Sequence, residues 1–289
     1  MKKKKKNFFS SLITSIILVL SLCGLGYSGY KLYISNSDYR EGETLYDNIN
    51  EDFTKEYTTT SNDSDFPSYK YIDFKELKAI NEDVVAWLYI PDSIVDYPVL
   101  QGDTNTTYLH TSIYKEYLYV GTLFLDCKNK PDFTDDNSII YGHNMNDGSM
   151  FGTMENLYLN DEDFYKNHPY IQLYTPERKM TYQIIGAGIT DRYSDRYTVN
   201  FNSRNEYSNW LKDIKENSQI NSAQYDVGKE TITLSTCHHH GIPERFVLHM
   251  QKVGSVSNNV YGQFYVNEGG NSDEILCYRS WETHRNFPN

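Results

Sequence analysis

The run Thr231-Ile232-Thr233-Leu234-Ser235-Thr236-Cys237, seven further residues that include Gly241 and Pro243, and then Arg245-Phe246-Val247-Leu248-His249-Met250 read as two β-strands joined by a loop. Side chains alternate between the faces of a strand. If Ile232 and Leu234 point into a core, then Thr231, Thr233, Ser235 and Cys237 share the opposite face. The thiol at the strand end is then presented rather than packed. In the second run Phe246, Leu248 and Met250 form the apolar face, which leaves Arg245, Val247 and His249 on the other. Antiparallel pairing across so short a loop places Cys237 and Arg245 side by side.

Further out, strand-like runs fall at Ala86–Ile90, Gly121–Leu125, Ser138–Tyr141, Tyr170–Tyr174 and Met180–Ile189. Helices are fewer. Asp73-Phe74-Lys75-Glu76 has the form of a capped start leading through Leu77 and Ile80. Ser203-Arg204-Asn205-Glu206 is a capping box followed by Tyr207, Trp210, Leu211 and Ile214 at one-face spacing, inside the long insertion between Ile189 and Thr231. Short strands with peripheral helices predict a mainly β domain, a small barrel.

The first part of the chain is not globular. Lys2 to Lys6 form an unbroken basic run, and residues 8–27 are an uncharged apolar segment of about 20 residues, enough to span a bilayer. The lysines place the N-terminal side, residues 1–7, in the cytoplasm and the remainder outside. No small-x-small cleavage site follows the apolar segment, which favours an uncleaved anchor over a signal peptide. Residues 28–67 are rich in Ser, Asn, Asp, Glu, Thr and Tyr and read as a polar stalk or N-terminal helical region, ahead of a catalytic domain at 68–253 and an extension at 254–289. All 39 Asp and Glu lie beyond Tyr27, while five of the 27 Lys and Arg precede it, so the exported part is more acidic than the chain's net −12. Such a surface argues against a nucleic-acid partner.

Of four cysteines, Cys23 is in the anchor, and the odd number outside it forces at least one free thiol unless chains pair. Cys127 reads as a packing residue of a strand, and Cys277 lies in the extension. His238, His239 and His240 beside Cys237 point in different directions on a strand or tight loop, which disfavours a shared metal. Asp132, Asp135 and Asp136 lack the spacing of a calcium loop and read as a solvated turn. No metal or cofactor is assigned.

A thiol, an imidazole and a guanidinium are the parts of thiol-based acyl transfer: Cys237, His143 in Tyr141-Gly142-His143-Asn144-Met145, and Arg245. Taken singly, each has a bland reading as a buried thiol, a structural histidine or a surface charge. The combination resembles the sortases, cysteine transpeptidases of Gram-positive cell surfaces. Thr233-Leu234-Ser235-Thr236-Cys237 is similar to the family's T-L-x-T-C signature, and Arg245 falls where its catalytic arginine is expected. Class B is resembled by Asp96-Tyr97-Pro98-Val99-Leu100-Gln101-Gly102, Gly121-Thr122-Leu123-Phe124-Leu125-Asp126 and Asn137 to Met145 followed by Gly148-Ser149-Met150-Phe151-Gly152. The resemblance spans about Tyr71 to Val253.

That resemblance implies a closed barrel of about eight strands with short peripheral helices behind an N-terminal transmembrane helix. It implies catalysis by His143, Cys237 and Arg245, with Asn144, Thr233, Ser235, Thr236 and Tyr207 as substrate-binding candidates. The implied partners are exported proteins bearing a C-terminal LPxTG-like sorting signal and an amine of a peptidoglycan precursor, lipid II, at the outer face of the membrane. A pilus polymerase of class B type would instead use a pilin lysine, a cell-wall cysteine hydrolase would release acid, and a binding module would do no chemistry. The extension holds no second apolar span, which many pilus-building class C enzymes carry.

Overall fold

The computed structural model describes residues 2–57, 69–220, 222–238 and 243–257. In chain order the elements are helix α1 (Lys2–Phe53), strands β1 (Thr54–Tyr57) and β2 (Tyr69–Ile72), helix α2 (Phe74–Ile80), strands β3 (Val84–Tyr89), β4 (Asp96–Leu100), β5 (Leu123–Leu125) and β6 (Asn137–Tyr141), helix α3 (Glu162–Asn167), strands β7 (Tyr170–Tyr174) and β8 (Arg178–Asp191), helix α4 (Arg204–Glu216), and strands β9 (Thr231–Cys237) and β10 (Glu244–Ser257). A π-helical turn covers Asn156–Asn160 and a 3-10 turn Asp195–Tyr197.

Eight strands close into a barrel in the order β10-β8-β7-β3-β4-β5-β6-β9, while β1 and β2 form a separate two-stranded sheet. Closure removes the open edges that would otherwise invite pairing with other chains. Two neighbours, β4 with β5 and β6 with β9, run parallel. A parallel neighbour cannot be reached by a tight turn, so each of these pairs needs a long connection. For β4 and β5 that connection is the segment 101–122.

The expected strands are present, with β7 matching its anticipated limits. β4 is a strand beyond those expected, and Pro98 pairs with Trp87 inside the sheet. Its ring removes one ladder donor, and neighbours on both sides keep the strand in place. Asp73 caps α2 by accepting from the Glu76 amide at 3.1 Å. Ser203 caps α4 in the same way, but the reciprocal Glu206 carboxylate accepts from the Asn202 amide, one residue earlier than a standard capping box would have it.

The barrel core is apolar and continuous, with Trp87, Leu88, Val99, Leu123, Ile140, Leu173, Leu234, Phe246 and Leu248 among its buried members. A second, smaller core lies under α4, where Tyr207, Trp210, Leu211 and Ile214 pack with Ile185 of β8. This layer covers the outer side of β9.

Two expectations, on Cys127 and on the acidic stretch, are corrected here. The stretch read as a polar stalk or N-terminal helical region is helical as far as Phe53, and the last third of α1 docks on the barrel. Gly42, Tyr46, Ile49 and Phe53 recur on one helix face, Tyr46 and Ile49 are buried, and Gly42 sits so close to Val120 that a Cβ would lie 2.5 Å from it. The Tyr46 hydroxyl donates to the Gly121 carbonyl at 2.6 Å, and Asn50 donates to Asp96. Cys127 is exposed, since β5 ends at Leu125 and Asp126 turns the chain by accepting from the Lys128 amide. The acidic stretch is a solvated turn only at Asp132, which is exposed: Asp135 and Asp136 are buried and bind Asn129, Asn200, the Phe201 amide and Arg204. Burial alone would raise the Asp135 carboxyl, but hydrogen bonds from Asn129, the Lys130 amide and Asn200 hold it below its ordinary value.

Upstream of the docked part, α1 exposes Leu12, Ile13, Ile16, Ile17, Leu18, Val19 and Leu20. Among the described residues this is one helix long and apolar enough to cross a membrane. Cys277 and nearly all of the extension lie outside the described residues.

Candidate active site

Strand pairing builds the site. In the antiparallel pair β9–β10, Cys237 is the direct partner of Arg245. On the opposite side of β9, β6 runs parallel with Tyr141 level with Ser235, and the Gly142 amide continues the ladder to the Ser235 carbonyl at 3.2 Å. Carrying that register on by two residues brings His143 level with Cys237. The thiol-bearing residue therefore lies between the segment holding the imidazole and the strand holding the guanidinium. Gly142 lets the chain leaving β6 pack directly on Leu123 and Phe151, where a Cβ would lie 2.5 Å and 2.6 Å from their side chains.

The presented thiol has a physical explanation. The outward row of β9 is sealed residue by residue: Thr231 Oγ1 bonds the Tyr207 hydroxyl at 2.6 Å, Thr233 Oγ1 bonds Asn137 and His249, and Ser235 Oγ bonds the Tyr197 hydroxyl at 2.9 Å. All three are buried, whereas Cys237, next in the row, is partly exposed. Cover from the 192–230 insertion stops where the cysteine begins.

The substrate-binding candidates divide. Tyr207 is fully buried with its hydroxyl donating to the Lys229 carbonyl, so it supports α4 rather than reaching a substrate; Thr233 is likewise fully buried. Thr236 points to the barrel side and is buried, and Ser235 lies under Tyr197. Asn144 remains at the site, where its side-chain amide donates to the Cys237 carbonyl at 2.7 Å. Arg245 is partly exposed and donates to the Glu244 carbonyl.

His143 is held from two directions. Its Nε2 lies 2.7 Å from the Leu109 carbonyl; a carbonyl can only accept, so Nε2 carries a proton and Nδ1 is the nitrogen that can exchange one. Its ring stacks on His110 with centroids 5.0 Å apart and planes 25° apart.

Several residues at the site escape a reading of the sequence. Tyr197 stacks on Tyr141 at 6.3 Å, and burial raises its hydroxyl pKa while the Ser235 hydrogen bond and the Arg245 charge pull it back. Its hydroxyl bonds Ser235 Oγ at 2.9 Å, two residues before Cys237 on the same strand. His238 pairs with Glu155 at 2.8 Å, tying the residue after Cys237 to the π-helical turn. His239 and His240 lie outside the described residues. Among the described residues, no three His, Cys, Asp or Glu side chains gather as a metal site. No sequence signal separates Tyr197 from Tyr193, Phe201, Tyr207, Trp210 and Tyr225 of the same insertion, and His110 comes from a loop that no sequence spacing links to His143.

The sortase domain family matches residues 88–253. Sortase B of Listeria monocytogenes is 32% identical over 238 residues, covering 81% of this chain and 92% of that protein. The crystal structure of sortase B from Bacillus anthracis in complex with AAEK1 superimposes with a TM-score of 0.63 at 28% identity, over 75% of this chain and 98% of that one. A Staphylococcus aureus sortase B–substrate complex gives 0.59 at 31% identity, over 62% and 84%. The chain belongs to the sortase family of cysteine transpeptidases. Within it, these relatives are all sortase B proteins, and the closed mixed barrel is that of class B.

Proposed function

We propose that this class B sortase cleaves an LPxTG-like sorting signal at the C-terminus of exported proteins and joins the new acyl end to an amine of a peptidoglycan precursor. The observation that carries the reading is the position of Cys237 at a partly exposed strand end, paired with Arg245 on one side and bonded through its carbonyl to Asn144, the residue after His143, on the other. The thiolate of Cys237 attacks the scissile carbonyl carbon, forming a C–S bond and an oxyanion. Arg245 donates hydrogen bonds to that oxyanion. As the C–N bond breaks, the His143 imidazolium gives its Nδ1 proton to the departing amine, keeping the Nε2 proton on the Leu109 carbonyl. The acceptor amine then attacks the thioester and returns a proton to His143, and the thiolate leaves. Asn144 serves by fixing the Cys237 backbone.

In this reading residues 8–27 anchor the chain with the lysines inside and the barrel on the outer face of the membrane, where exported proteins and lipid-linked precursor meet. The acidic surface is consistent with a peptide and amine partner rather than a nucleic acid.

The test uses the full chain with sorting-signal peptides and a panel of amines, read by mass spectrometry. A thioester on Cys237 and transfer to wall-precursor amines in preference to a pilin-type lysine peptide are expected. Cys237→Ala abolishes both, and a Cys237→Ala chain that still joins peptide to amine overturns the assignment. Arg245→Ala lowers kcat by about 10²–10³, the usual loss for one oxyanion donor.

A further inference from the structure

We propose that His110 is a positioning residue for the imidazole of His143, an inference that rests on the catalytic reading of His143 above. Two consecutive residues of the 101–122 connection grip the same ring, Leu109 at its edge through the carbonyl and His110 across its face. The two constraints are complementary. A single hydrogen bond to Nε2 holds that corner of the ring, but leaves the plane free to swing about the N–H···O axis and so to break the bond that sets the tautomer. A flat group stacked against the face removes that swing, so Nδ1 is aimed in one direction.

His110 is itself held. Its Nδ1 lies 2.8 Å from the Tyr119 carbonyl, which makes that nitrogen a donor, and its ring lies against those of Tyr119 at 6.1 Å and Tyr117 at 6.3 Å. The His110 carbonyl accepts from the Leu118 amide at 3.1 Å, so backbone and side chain both anchor the residue within its own loop. His110 is exposed, and packing of the barrel core does not require it. An exposed ring fastened by its own loop and laid on the imidazole of His143 is arranged to orient that imidazole, and misorientation of a proton-transfer group costs rate steeply.

The experiment compares His110→Ala and His110→Phe in the full chain. His110→Ala is expected to lower kcat by about 10-fold while changing the peptide KM less than about 2-fold, and His110→Phe, which keeps a flat ring without the imidazole nitrogens, to restore most of kcat. Selective 15N-histidine spectra, with the His143 signal assigned by its loss in His143→Gln, should show one Nε2-protonated tautomer in the unsubstituted chain and in His110→Phe, but a tautomer mixture in His110→Ala. The proposal is overturned if His110→Ala leaves kcat and the tautomer unchanged, or if His110→Phe is as impaired as His110→Ala. Should the unsubstituted chain transfer no peptide, the functional reading fails, while the nitrogen spectra still decide whether His110 orients the ring.

Discussion

Gly121 shows how much rests on single atoms here. Its φ is +59°, and a Cβ would lie 2.3 Å from the Leu109 carbonyl oxygen and 2.6 Å from that of Tyr108. The first value lies in the region that disfavours L side chains, and the second contact cannot relax cheaply because both oxygens are backbone. The Leu109 oxygen is the one that accepts from His143, so a methyl group at 121 pushes directly on the imidazole anchor. Gly121→Ala is expected to cost about 1–3 kcal/mol, a fall of several degrees in Tm, and to lower kcat more than KM rises. Gly188→Ala is the control: its Cβ would have nothing nearer than 3.7 Å and its φ is ordinary. Thermal melts and peptide kinetics on the two variants decide the matter, and equal behaviour of the pair would remove the strain argument.

At the scale of elements, α4 packs on β8, on His249 of β10 and on the Thr231 end of β9, and His249 is a polar group sealed beneath it. His249 is 2% exposed, its Nδ1 lies 2.9 Å from Thr233 Oγ1, and Trp210 of α4 meets its ring edge-on at 5.7 Å. Burial, with the nearby Arg196 charge, lowers its pKa to about 3, so the folded chain keeps the ring neutral where the unfolded chain, near 6.5, protonates it. Stability from this group is therefore full above pH 6.5 and is lost as pH falls toward 3, at up to about 1.4 kcal/mol per pH unit. Between pH 7 and 5 the unsubstituted chain should lose about 2 kcal/mol more than His249→Gln, measured by melting at both values; parallel curves for the two chains would show that His249 does not set the slope. The N-cap and one-face spacing of α4 were legible in the sequence, as was the local hairpin that pairs Cys237 with Arg245, because each is decided by near neighbours. The placement of His143 was not, since it depends on a parallel pairing of β6 with β9 across more than ninety residues. The burial of Asp135 and Asp136 was not legible either, because it depends on Asn200, Phe201 and Arg204 from a segment more than sixty residues away.

For the whole molecule, α1 joins the apolar segment to the site without a break. Its helix runs from Lys2 to Phe53, its last third packs on the barrel, and its Tyr46 hydroxyl bonds the Gly121 carbonyl and Thr122 Oγ1 in the same connection that carries Leu109 and His110. Asn50 reaches Asp96, which also accepts from Trp87 and pairs with Lys70, so the helix end, β2 and the barrel share one half-buried carboxylate. The mixture of Tyr, Gly and Ile on this helix face is too sparse to stand out from its polar surroundings, which is why composition alone suggested a spacer. The consequence is that the folded unit begins well before residue 68. A fragment starting at Ser35 keeps these anchors, whereas one starting at Ser68 exposes the barrel surface under Tyr46 and Ile49 and leaves Asp96 without Asn50. Burying two such side chains contributes about 1.5–3 kcal/mol each, so the shorter fragment should melt at least about 5 °C lower. Because Tyr46 braces the connection that grips His143, the shorter fragment should also lose kcat beyond what its stability at the assay temperature explains, and Tyr46→Phe in the longer fragment should reproduce part of that loss. Equal kcat in both fragments, well below their melting points, would mean that the helix supports the fold but does not reach the site.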